Sequence, residues 1–317
     1  MELTAYLDES GHDDRLLIMG GFVSSSEKWD RFSTECDLIK AHFDIPFIHS
    51  AELFNLKKKR LYGHLPQESR SQVAGALMSA IIDHTEFSIV ASVIPRVYNR
   101  LTTKQWRSTY GTAYSSCING ILIGLTEYLD LPPGETLTLS IFLEDGHAHA
   151  GEAENVVRDY KTFSDNLAES DVPVVDRWIE EPTLRIGRYG RLTKEMAPPL
   201  WAADLISYCT YNSIVRKDFL CCDILKKIHD RVPGFGVKLF DEQIRTIIDD
   251  TVQAETALQE RAEGIHRLVK YLFQFGVTAH RDRRGVILDF SEMTPKQERC
   301  WLDDWKEKSS KGRSTEN

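Results

Sequence analysis

The stretch Tyr6-Leu7-Asp8-Glu9-Ser10-Gly11 closes a short apolar run, Leu3 to Leu7, with two acids and a turn signal. An apolar run of that length bounded by turn residues reads as a strand. Leu16 to Val23 is a second apolar run beyond Gly11-His12-Asp13-Asp14, so the chain opens as an antiparallel hairpin. Asp8 and Glu9 then stand at a strand end. Successive strand side chains point to opposite faces, so only one of the two is expected in a shared site, and we take that one to be Asp8.

Working outward, Ser24 to Ser26 followed by Glu27 can cap a helix running to about His42, with Trp29, Phe32, Cys36 and Ile39 on one face. Gln67 to His84 has helical apolar spacing, and Phe87 to Ile94 is β-rich and bounded by Pro95. Trp106 to Leu129 reads as a helix weakened by Gly111, Gly120 and Gly124. Leu137 to Leu143 forms a strand that ends in Glu144-Asp145-Gly146, and a helix is expected over Gly151 to Leu167. Val172 to Ile179 suggests a fifth strand, and Pro198-Pro199 opens a last helix, Leu200 to about Ser213. Alternating strands and helices predict an α/β layered domain over residues 1–215 with a partly antiparallel sheet. Residues 216–317 read as a mainly helical C-terminal extension, clearest over Phe240 to Val269, whose helices could cap the sheet, form a homodimer interface or gate substrate.

The totals narrow the function. With 39 basic and 48 acidic residues among 317, the net charge is −9, which argues against coating nucleic acid by charge alone. No apolar run approaches the roughly 20 residues that span a bilayer. The six cysteines are scattered without a C-x-x-C pair, and no secretory signal opens the chain, so a cytoplasmic protein is expected.

Chemistry concentrates at element ends. Asp8 ends one strand, Glu144 ends another, and Asp204 lies inside the apolar stretch Leu200-Trp201-Ala202-Ala203-Asp204-Leu205-Ile206. A carboxylate among apolar residues is costly unless paired or coordinated. Parallel neighbours ending in Asp8 and Glu144, crossed by the Asp204 helix, would make a three-carboxylate site for Mg²⁺ or Mn²⁺. Asp145 is a further candidate ligand, and Glu9, His49 and Glu52 are further candidates for the chemistry. His49 and Glu52 suit a metal site or proton carriage, and equally a helix cap. Arg185, Arg188, Arg191 and Lys194, spaced by Gly187 and Gly190, suit phosphate contacts, and equally a solvated charged hairpin. His147 and His149 read as a solvated loop, and Tyr114 as core.

These motifs together resemble a large family of bacterial and phage proteins of unknown function, with a Y-x-D-E-S-G start and a closing P-L-Q-x-A-D-L. Ile48-His49-Ser50-Ala51-Glu52-Leu53 resembles its H-x-x-[ED]-L segment, Glu144-Asp145-Gly146 its E-x-G, and Pro199-Leu200-Trp201-Ala202-Ala203-Asp204-Leu205 its closing motif. The resemblance covers about residues 1–215 and implies a ribonuclease H-like fold with a divalent-metal nuclease or transposase-like site. Trp201 departs from the family, which usually has glutamine there. Two functions remain open: a metal-dependent nuclease acting on RNA or DNA, or a catalytically weak or inactive binding or regulatory module, in a phage-defence setting. A phosphatase of small molecules would use the same acids without the arginines.

Overall fold

The computed structural model describes residues 2–11, 15–55, 57, 60–129, 135–146, 149–169, 183–239, 278–282 and 285–289. The chain divides into two compact units, residues 1–245 and 246–317. In the first, β1 (Glu2–Ser10) and β2 (Leu17–Ser24) form the expected hairpin, with Leu7 opposite Gly21 and Asp8 opposite Gly20. Then come α1 (Ser26–Phe43), α2 (Ser50–Leu53), α3 (Gln67–His84), β3 (Phe87–Val93), α4 (Pro95–Leu101), α5 (Lys104–Tyr110) and α6 (Ala113–Tyr128). They are followed by β4 (Thr136–Glu144), α7 (Ala150–Glu169), β5 (Thr183–Leu192), α8 (Pro199–Val215), α9 (Phe219–His229) and β6 (Gly234–Leu239). In the second unit, β7 (Thr278–Asp282) and β8 (Gly285–Asp289) pair antiparallel.

The six strands of the first unit run β5-β4-β1-β2-β3-β6, with β2 antiparallel to both neighbours and every other pair parallel. This is the mixed sheet with flanking helices of the ribonuclease H-like fold class. Every residue of β2 is buried, as a central strand covered on both faces requires. On one face Phe22 packs with Trp29, Phe32, Leu77, Trp201 and Ile206 from α1, α3 and α8. Burying a side chain of that size contributes about 2–3 kcal/mol. On the other face α6 lies against β3 and β6, the tilted Tyr128 ring centred 5.5 Å from Phe87 and 5.0 Å from Phe235.

Some boundaries moved. Ser25 enters α1 in extended geometry, but its side chain makes no capping bond. The helix expected over Trp106 to Leu129 breaks at Gly111, whose φ of 87° no helix accommodates. The strand expected over 172–179 lies outside the described residues. The glycine-spaced basic stretch is not a solvated hairpin but lies largely in strand β5, paired parallel with β4. Leu184 and Ile186 alternate inward around exposed Arg185, and Gly187-Arg188 together oppose Ser140 in a bulge. That extra residue breaks the period-2 signal. The sheet also continues past residue 215, since β6 pairs with β3. The helix expected over 240–269 lies outside the described residues; within 216–317, α9 (Phe219–His229) is described as a helix and β6, β7 and β8 as strands.

Gly21 packs so tightly that an added Cβ would stand 1.9 Å from the Tyr6 carbonyl oxygen, whereas nothing lies within 4 Å of one on Gly75 in α3. Urea unfolding of Gly21→Ala should therefore show a loss of about 3 kcal/mol or more. Gly75→Ala should show a gain of up to about 1 kcal/mol, the helix-propensity difference. Equal effects at the two glycines would mean that the β1–β2 contact is not as close as described.

Candidate active site

The parallel pairing of β1 with β4 ends at Leu7 opposite Leu143, which brings the next residues, Asp8 and Glu144, to one edge of the sheet. From the helix that crosses this edge comes Asp204, on the buried first turns of α8. The three acids named from the sequence do converge, but through a fourth group. The Lys194 ammonium lies 2.8 Å from Asp8 Oδ2, 3.1 Å from Glu144 Oε1 and 3.5 Å from Asp204 Oδ1. Asp8, Lys194 and Asp204 are only 2%, 6% and 7% exposed. Lys194 is thus no surface phosphate contact. It sits in the turn between β5 and α8, whose direction carries its side chain inward.

That turn is held from inside. The Trp201 indole N–H donates to the Lys194 carbonyl at 2.8 Å, and the amides of Met196 and Ala197 both donate to the Thr193 carbonyl. Beside it, Ser207 Oγ donates to the Asp8 carbonyl at 2.7 Å. This close approach of α8 needs a bare backbone on β2: a Cβ on Gly20 would come within 2.8 Å of that hydroxyl. The second oxygen of Asp204 accepts the Ser50 amide from the first residue of α2.

Glu9 also belongs here. Its carboxylate accepts from Tyr114 of α6 at 3.3 Å, on the face of the sheet opposite α8, as strand alternation requires. Yet single carboxylate oxygens of Asp8, Glu9 and Glu144 all lie within 4.8 Å of one another. The expectation that only one of the neighbouring acids reaches a shared site is therefore corrected. Alternation decides the face a side chain leaves from, but at a strand end both can bend round the edge.

A divalent cation suits this trio. Hard cations take carboxylate oxygens, and single oxygens of the three side chains lie within 4.8 Å of one another, while Asp8 Oδ2 also meets the Lys194 ammonium at 2.8 Å. Each carboxylate oxygen also has lone pairs to spare after one contact.

Other candidates are placed elsewhere. His49 is half-buried and leads into α2 through its backbone, its carbonyl accepting from the Glu52 and Leu53 amides. The Glu52 carboxylate accepts the Leu61 amide at 3.2 Å, bracing a loop that Arg70 also ties through the carbonyls of Glu52, Asn55, Tyr62 and Leu65. The segment reaches the site through the Ser50 amide rather than through His49 or Glu52. Asp145 is exposed and pairs with Arg191 at 3.1 Å, and Arg191 also pairs with Glu154 at 3.1 Å. Arg185 and Arg188 are exposed on β5. His149 pairs with Glu152 at 3.0 Å, while His147 lies outside the described residues. Sequence reasoning missed Tyr114 as a partner of Glu9, Trp201 as the anchor of the Lys194 turn, and Lys194 as the counter-ion. The signal for the last was a buried acid in want of a cation.

No protein-family model matches the chain, and no curated protein matches it. Among the described residues no helix is long and apolar enough to cross a membrane.

Electrostatics reflect the crowding. Burial raises the Asp8 carboxyl well above its ordinary range; Lys194 opposes this, while Asp204, Glu9 and Glu144 add to it. Burial, then repulsion from Glu144, pushes Glu9 up to about 7 against Lys194. Burial alone would lower Lys194, but Asp204, Asp8 and Glu144 outweigh it and raise the ammonium above its usual value. From Glu9 a pH dependence follows. Below its ordinary value of 4.5 it is protonated whether the chain is folded or not, and from there to about pH 7 only the folded protein keeps the proton. Stability is therefore lost as pH rises through that window, on the order of 3 kcal/mol from Glu9. In EDTA, melting temperatures from pH 4 to pH 8 should show Glu9→Gln gaining on wild type as pH rises. Parallel curves would mean that Glu9 titrates as a free carboxyl.

Proposed function

We propose that the chain is a divalent-metal-dependent nuclease that hydrolyses phosphodiester bonds of RNA or DNA. The convergence of the buried Asp8 and the half-buried Glu9 and Glu144 carboxylates at one sheet edge carries this reading. Those three would hold Mg²⁺ or Mn²⁺. Such an ion, when bound, supplies a water of lowered pKa and charge stabilisation for the departing oxygen. The chain's own groups do the rest. Tyr114 orients Glu9, Lys194 offsets the negative charge beside Asp204, and the exposed Arg185 and Arg188 suit phosphate oxygens. Arg191 is already engaged by Asp145 and Glu154, which makes it a weaker contact. A cytoplasmic setting and a homodimer built through the C-terminal residues belong to the same proposal. So does membership of the family whose opening and closing motifs the chain resembles.

One observation favours the second reading, a binding or regulatory module in a phage-defence setting. The Lys194 ammonium already serves three of the acids, so the cluster has a cation of its own.

Labelled RNA, single-stranded DNA, duplex DNA and RNA–DNA hybrid, each with Mn²⁺ or with EDTA, separate the two. We expect Mn²⁺-dependent cleavage of at least one substrate, and Asp8→Asn to lower it by at least about 100-fold, the upper range for disturbing a metal's surroundings. Wild type and Asp8→Asn behaving alike on every substrate would end the nuclease reading. Binding without cleavage would leave the module in its place.

A further inference from the structure

We propose that this site takes one divalent cation rather than two, and that Lys194 is its fixed second cation. The inference rests on the nuclease reading. Two-metal sites hold their ions about 3.5–4 Å apart, with carboxylates on both sides. Here the acids fall into two overlapping sets. Asp8, Glu144 and Asp204 surround the Lys194 ammonium at 2.8, 3.1 and 3.5 Å. Asp8, Glu144 and Glu9 bring oxygens within 4.8 Å of one another. Asp8 and Glu144 are common to both sets, Asp204 belongs to the lysine and Glu9 to the ion.

Each set has what its occupant needs. Asp204 divides its oxygens between the ammonium and the Ser50 amide. Among the described residues, the side-chain donor at hydrogen-bonding distance from Glu9 is the neutral Tyr114 hydroxyl. Lys194 has little freedom to leave, because its side chain is enclosed and its carbonyl is held by Trp201. An ammonium and a divalent cation repel and cannot occupy one point. A second ion beside Asp204 would have to expel the lysine from a closed pocket. Lys194 is thus a positioning residue: its ion pairs hold Asp8 and Glu144 together at the edge, and it bars the second ion.

Counting bound Mn²⁺ on the full chain by electron paramagnetic resonance, without substrate, tests this. Wild type should bind one ion and Asp204→Asn still one, while Glu9→Gln should bind at least about tenfold more weakly. Lys194→Met, relieved of its ammonium, should bind two, and Lys194→Arg, which keeps the charge, one. Circular dichroism checks each fold, and if Lys194→Met does not fold, Asp204→Asn against Glu9→Gln decides. Two ions on wild type, or binding lost in Asp204→Asn but kept in Glu9→Gln, would overturn the lysine assignment and leave the nuclease reading standing. No ion on wild type would overturn both.

Discussion

Carboxylates gathered out of water repel one another, and the architecture at the C-terminal edge of β1 answers that repulsion. Asp8, Glu144 and Asp204 arrive from β1, β4 and α8 and meet at a single ammonium. A buried charge cluster of this kind adds little net stability, because desolvation offsets most of the attraction. Removing one partner is another matter. It strands the remaining charges and costs on the order of 3–5 kcal/mol. The cluster therefore acts as a constraint on arrangement: β1 must lie beside β4, and the turn after β5 must point inward, before any of these groups is satisfied.

The link between β5 and α8 shows how economically that constraint is met. Six residues, Thr193 to Pro198, separate the two elements, and they deliver Lys194 while Pro199 starts the helix that delivers Asp204. Proline at the first helical position needs no amide partner, so the turn can close directly onto α8. The helix is buried almost throughout its first half. Asp204 is tolerated there because both of its oxygens are engaged, by Lys194 and by the Ser50 amide. The same helix approaches β1 and β2 closely enough for Ser207 to reach the Asp8 carbonyl, and Gly20 leaves the room.

Much of this was legible in the residues. The opening hairpin, Gln67–His84 and the strand ending at Glu144 follow from apolar period and flanking turn residues. The grouping of Asp8, Glu144 and Asp204 followed from acids placed where elements end. What escaped had physical causes. β5 carries arginines and two glycines, and its bulge at Gly187-Arg188 disturbs the alternation by which strands are recognised. Lys194 shared that composition and was read with it, although the turn aims its side chain the other way. Glu9 was set aside because alternation describes the first bond of a side chain. Its remaining length, at a strand end with no further strand beyond, governs where the carboxylate goes. The β6 pairing joins residues far apart in sequence, and its short run Gly234–Leu239 carries two glycines that weaken any strand signal.

Trp201 brings these threads together. Its side chain can donate one hydrogen bond and accept none. Its single donor goes to the Lys194 carbonyl, and the ring is 1% exposed among the apolar residues of α1, α3 and α8. It also adds apolar surface to the core on the α8 face. Trp201 thus couples the core to the site: packing on one side of the ring holds the turn on the other, and the turn holds the ammonium among the acids. Trp201 therefore bears on how firmly Lys194 is held, and through Lys194 on how Asp8 and Glu144 are placed at the sheet edge.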